Sequence, residues 1–112
     1  MNEFVRLDLE IYKPTVEIAL KKFKDNLKMY KSNNVKCVYV VHGYGSHGKG
    51  GLIRDSFRKE LKTLKDQKII KKYIFGEDFN IMNNDAYVLK HTYQELEHLF
   101  HTVNKGVTVI EL

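Results

Sequence analysis

Apolar and polar side chains alternate over residues 5–9, with Val5, Leu7 and Leu9 on one side and Arg6 and Asp8 on the other. A period of two predicts a strand with one buried face. The spacing then changes: Val16, Ala19, Leu20, Phe23, Leu27 and Tyr30 form a single stripe at helical period. Pro14 and Thr15 open that helix, with Thr15 placed as its N-cap and Glu17 set against the positive end of the helix dipole, and Ser32-Asn33-Asn34 breaks it. Residues 35–41 are apolar at nearly every position, as in a central strand covered on both faces. Leu52, Ile53, Phe57, Leu61 and Leu64 define a second helix over about 52–64, and residues 69–75 form a third strand that Gly76 ends. A polar loop over 77–85 leads to Asn83, Asn84 and Asp85, which offer a cap for a third helix over about 86–103. Its stripe is Leu89, Tyr93, Leu96, Phe100 and Val103, and residues 107–112 make a last alternating strand.

The order β-α-β-α-β-(α)-β predicts an α/β chain of the two-layer α+β sandwich type with a mixed four-stranded sheet. Two early crossovers make the first strands parallel neighbours, and the last strand is expected antiparallel at an edge. A length of 112 residues suits one domain, with 77–104 as a helical insertion. Repeats, low-complexity tracts and linkers are absent from the sequence.

Composition narrows the class of protein. At 43% apolar and 29% charged residues the chain resembles ordinary globular domains. It holds no apolar run of the roughly 18 residues that span a bilayer, and its first residues do not resemble a secretory signal. The single Cys37 excludes an internal disulfide and sits in an apolar run, so it is expected buried and inert in a cytoplasmic protein. The net charge of +5 is unevenly spread: residues 13–36 carry +5, residues 49–72 carry +6, and residues 77–112 carry −4. A basic front half suits a polyanion such as DNA or RNA; lysines that merely solvate two helices would look the same.

The chemistry concentrates between the second strand and the second helix. Gly43, Gly45, Gly48, Gly50 and Gly51 make a turn dense in residues without Cβ, leading into a helix N-terminus. Such a turn brings backbone N–H groups close to a ligand, and the helix dipole favours an anion there. His42, His47, Lys49 and Arg54 add cationic or titratable groups, and Tyr44 is the tyrosine placed to stack on a base. Most of the other tyrosines are expected at core-facing or partly buried positions. No Ser or Thr follows Lys49, so this is not a P-loop, and no acidic residue ends a following strand as a dinucleotide-binding fold requires.

Four segments carry a family resemblance: Val5-Arg6-Leu7-Asp8-Leu9; Thr15-Val16-Glu17 with Ala19-Leu20; Val41-His42-Gly43-Tyr44-Gly45 running on to Gly51-Leu52-Ile53-Arg54; and Gly106-Val107-Thr108-Val109-Ile110-Glu111-Leu112. Together they resemble the Smr (small MutS-related) domain over about residues 5–75 and 105–112. The resemblance implies a fold similar to the C-terminal domain of bacterial translation initiation factor 3. It also implies a nucleic-acid role, in DNA repair and recombination or in ribosome rescue, either as a metal-aided nicking endonuclease or as a binder. The chain departs from the usual Leu-Asp-Leu-His-Gly motif, carrying Glu10 for the histidine and Ile11 for the glycine. Its glycine turn is longer, and 77–104 stands where many relatives have a short loop.

Strand order places Asp8, Glu10 and the glycine turn at one sheet edge, where ligands of parallel sheets collect. Asp8 and Glu10 are candidate ligands for Mg²⁺ or Mn²⁺, and Asp8, His42 and Glu10 are the candidate catalytic groups. The nucleic-acid contacts expected are His42, Gly43, Tyr44, Gly45, His47, Gly48, Lys49, Gly50, Gly51 and Arg54. A plainer account exists for several: Asp8 capping a turn or pairing with Arg6, His42 a satisfied buried histidine, Arg54 in a surface ion pair. His91, Glu95 and His98, with His101 beyond, share a helical spacing that suits either a metal face or a solvated one. Three functions follow: nucleic-acid binding without cleavage, metal-dependent nicking, and protein interaction through 77–104.

Overall fold

The structure, a computed structural model, describes residues 2–43 and 50–112. In chain order it runs β1 (Phe4–Asp8), α1 (Val16–Ser32), β2 (Cys37–Val41), α2 (Gly50–Asp66), β3 (Lys72–Phe75), α3 (Asn84–Thr92) and β4 (Val107–Glu111), with 3-10 turns at Gly76–Asp78 and Gln94–Phe100. The expected mixed four-stranded α+β sheet is present. Local chemistry explains the helix boundaries. Thr15 Oγ1 accepts the Ile18 N–H at 3.2 Å and Asn83 Oδ1 accepts the Ala86 N–H at 3.1 Å, each satisfying an N–H that the first turn leaves unpaired.

Strand order is β1-β2-β4-β3, with β1 and β2 parallel and β4 antiparallel to both its neighbours. The last strand is antiparallel as expected, but it lies inside the sheet and not at an edge. Burial gives the reason: Val107, Thr108, Val109 and Ile110 are all buried, and an edge strand seldom hides both faces. β4 separates β2 from β3, so the second crossover skips one position. β1, β2 and β3 therefore run the same way, and their carboxyl ends share one edge with the start of β4.

Two cores flank the sheet. On one face Leu7, Val38, Val40 and Ile110 meet Phe23 and Leu27 of α1 and Phe57 and Leu61 of α2, with Phe23 and Phe57 edge to face at 4.7 Å. On the other face Cys37, Tyr39, Ile74, Val107 and Val109 are covered by Phe79, Ala86, Leu89, Leu96 and Leu99. The 77–104 segment is thus a lid on the second face. Its expected single helix breaks: α3 ends at Thr92, Tyr93 turns out at φ −126°, and a 3-10 segment follows. Val103, expected on the apolar stripe, is exposed, as is Leu52 of α2.

Candidate functional site

The strand ends bring the Glu10 carboxylate to the start of the glycine turn. Asp8 is in register with Val41, and the Leu9 N–H donates to the Val41 carbonyl at 2.8 Å. Two residues on, the Glu10 carboxylate lies directly over Gly43, where a Cβ would overlap it. Gly43 has φ +76°, the left-handed region that glycine enters without steric cost. Glu10 therefore meets the first residue of the turn, and Asp8 lies two residues before it at the end of β1. Tyr44, Gly45, His47, Gly48 and Lys49 lie outside the described residues.

Asp8 is already engaged. Its Oδ1 accepts the Glu10 N–H at 2.8 Å and its Oδ2 stands 3.9 Å from Arg6 Nη2, so both plain roles, turn cap and partner of Arg6, are fulfilled. Oxygen lone pairs remain on each carboxylate for a hard divalent ion. Among the described residues no group of three His, Cys, Asp or Glu side chains is arranged to hold a metal.

His42 does not join them. It is fully buried, and the sheet's alternation turns it away from Asp8: His42 follows Val38 and Val40 onto the face that α1 and α2 cover, whereas Asp8 shares the opposite face with Val41. The ring lies 5.2 Å from that of Phe57. Nδ1–H donates to the Gly43 carbonyl at 2.8 Å, which leaves Nε2 to accept the Thr108 hydroxyl at 2.9 Å. Burial pulls its pKa from 6.5 to about 4; the Gly43 bond opposes this, and the charges of Arg58 and Arg54 add to it. A neutral, enclosed imidazole with both nitrogens occupied touches no phosphate and exchanges no proton near neutrality. The assignment of His42 as a catalytic or phosphate-contacting group is thereby corrected.

Gly43 is also corrected in part. Its N–H donates to the Gly106 carbonyl at 3.0 Å, beside the His42 N–H at 2.9 Å, so it is not available to an anion. Beyond Gly43 the described residues resume with α2. Its first turn, Gly50 onward, contains no acidic residue, and Arg54 follows within a turn. The Arg54 side chain is a quarter exposed, with Nε 3.6 Å from Asp55 Oδ1. Its charge lowers the pKa of both His42 and Glu77.

Sequence reasoning missed Arg58, Glu77 and Thr108. Arg58 Nη2 donates to Glu77 Oε1 at 2.6 Å and the guanidinium lies 3.8 Å over the Phe75 ring. Burial pushes the Glu77 carboxyl up, but the Arg58 hydrogen bond, its own backbone bond and the charges of Arg58 and Arg54 outweigh this and hold it below the usual range. The i, i+4 spacing of Arg54 and Arg58 was the available signal. The histidine row on the lid does not assemble: His98 Nε2 meets the Tyr39 hydroxyl at 3.2 Å, His101 stands 3.8 Å from Glu97, and His91 packs on Tyr87. Cys37 is buried as expected, and burial first, then Glu111 and Glu95, pushes its thiol up to about 12.

Among the described residues no helix is long and apolar enough to cross a membrane. Set against protein-family models, curated proteins and solved structures, the chain matches none.

Proposed function

We propose that the chain is an Smr-like nucleic-acid-binding domain, acting in the cytoplasm, that holds the phosphodiester backbone at the carboxyl edge of its sheet. The observation that carries this is the start of α2, a helix N-terminus free of acidic residues that bears Arg54, at the edge where β1 and β2 end. A helix N-terminus with a nearby guanidinium attracts phosphate by dipole, unpaired N–H groups and charge together. The glycine-rich sequence from Gly45 to Gly51 carries a second cation, Lys49. The resemblance to Smr domains supports a place in DNA repair and recombination or in ribosome rescue. The burial of His42 favours binding over cleavage, because among the described residues it takes the histidine next to the strand ends out of proton transfer.

The test is titration of labelled DNA and RNA stem-loops at several salt concentrations. Affinity falls steeply as salt rises, and Lys49→Ala with Arg54→Ala weakens it by about 1–3 kcal/mol together. A chain that binds neither nucleic acid at low salt sinks the proposal.

The Glu10 carboxylate over Gly43, with Asp8 at the end of the same strand, supports a second reading, metal-dependent nicking. A bound Mg²⁺ or Mn²⁺ would supply an activated water and charge on the phosphate; the two carboxylates would hold it. Supercoiled plasmid and structured RNA incubated with each ion, and with EDTA, decide the matter. Under the binding proposal the plasmid stays intact; nicking that needs the ion and disappears in Asp8→Ala replaces that proposal with the nuclease. Ile81, Met82, Tyr87 and Val88, all exposed on the lid, support a protein partner on that side.

A further inference from the structure

We infer that the turn between β1 and α1 is a stacking platform for an unpaired nucleotide, formed by the Tyr12 ring. This rests on the nucleic-acid proposal above and specifies the form taken: a single-stranded stretch of DNA or RNA. Tyr12 is 98% exposed and Ile11 beside it 48%. The sequence pattern offers no reason to single out Tyr12, since its neighbours belong to neither the strand nor the helix stripe.

The backbone beneath the ring is firmly tied. The Lys13 N–H donates to the Glu10 carbonyl at 2.9 Å, closing a four-residue turn. Asp8 Oδ1 holds the Glu10 N–H at 2.8 Å, and Lys22 Nζ reaches from α1 to the Asp8 carbonyl at 2.7 Å. Tyr12 and Lys13 both adopt left-handed φ, at 66° and 47°, which is unfavourable for any residue with a Cβ. At its exposure the Tyr12 ring packs on almost nothing in the chain, so burial does not offset that strain. Strained backbone held by its surroundings is characteristic of ligand-contacting segments.

Position and chemistry name the ligand. Glu10, which opens the turn, is the residue whose carboxylate covers Gly43, and Tyr12 follows it by two residues in the chain. Lys13, exposed beside the ring, provides a cation for the adjoining backbone. Bases inside a duplex have both faces covered, whereas an unpaired base presents an open face to a protruding aromatic ring.

The chain contains no tryptophan, so Tyr12→Trp installs a single reporter at this turn. Titration with oligo(dT) and oligo(U) quenches its fluorescence, and inorganic polyphosphate, which has charge without bases, does not. Tyr12→Ala weakens oligonucleotide binding by about five- to a hundredfold, the range expected for loss of one stacked base. Tyr12→Phe stays within threefold of wild type, and duplex binding changes by less than threefold in every variant. An unquenched tryptophan on a bound oligonucleotide, or Tyr12→Ala binding as wild type does, overturns the stacking platform and leaves the phosphate proposal standing. A wild-type chain that binds no nucleic acid overturns both.

Discussion

His42 shows how a residue's neighbours decide its chemistry. The sequence marks it as a titratable group at the head of a glycine turn; the fold makes it part of the core. In the unfolded chain His42 takes up a proton near pH 6.5, but in the fold only at about 4. Acid therefore favours unfolding between those values, and the loss is complete below about pH 4. At 1.36 kcal/mol per pH unit the total is about 3 kcal/mol. Denaturant melts from pH 7 to 4 should show this decline, and His42→Leu should flatten the part that His42 contributes. Thr108→Val keeps the shape of the buried side chain but removes the hydroxyl that satisfies Nε2. It should destabilise the fold by about 1–3 kcal/mol, the cost of a buried polar atom without its partner. The orientation of His42 was partly legible: Val38, Val40 and His42 share one parity, and Asp8 has the parity of Arg6. What the sequence did not disclose is that Thr108, from the other end of the chain, waits beside the imidazole.

At the scale of elements, glycine positions separate two kinds of constraint. At Gly43 the obstacle to a Cβ is the end of the flexible Glu10 side chain, together with φ +76°. At Gly76 the obstacles include the Asn104 carbonyl and, at 2.9 Å, the Val107 carbonyl, both backbone. A carboxylate swings aside; the first residues of a buried strand do not. Gly43→Ala should therefore cost about 1–2 kcal/mol, mainly for the left-handed backbone, and Gly76→Ala should cost more because β4 must shift. Paired thermal melts check the order, and an equal or reversed ranking would refute it. The first strand, α1 with its Thr15 cap, and α2 were all legible, because propensity and period agree there. The third helix was not. Nothing in residues 86–103 breaks the pattern by composition, yet Tyr93 leaves the helix to place its ring 5.5 Å from that of Phe4. A contact with the first strand overrides local preference.

For the whole molecule the important fact is the segregation of charge by layer. The basic segments of the chain fold as α1 and α2 on one face of the sheet, and the acidic 77–104 segment covers the other. A polyanion approaching in solution is drawn to one side only. Lys59 and Lys62 are exposed on α2. Reversing both to Glu should slow association with oligonucleotides several-fold at low salt, lose most of that effect at high salt, and leave stability within about 0.5 kcal/mol. Stopped-flow binding at two ionic strengths measures it; an unchanged association rate would mean that this face does not guide the ligand.

The sequence alone determined the strands, the first two helices, their order and the charge on each segment, because these depend on contacts between residues close in the chain. It also placed Asp8, Glu10 and Gly43 at one edge, since parallel strands joined by helices must end together. Only the tertiary structure set β4 inside the sheet, buried His42 against Thr108, ended α3 at Thr92 and left Tyr12 in solvent. Each of those outcomes depends on residues far apart in sequence competing for the same space, and no local pattern records who the neighbour will be.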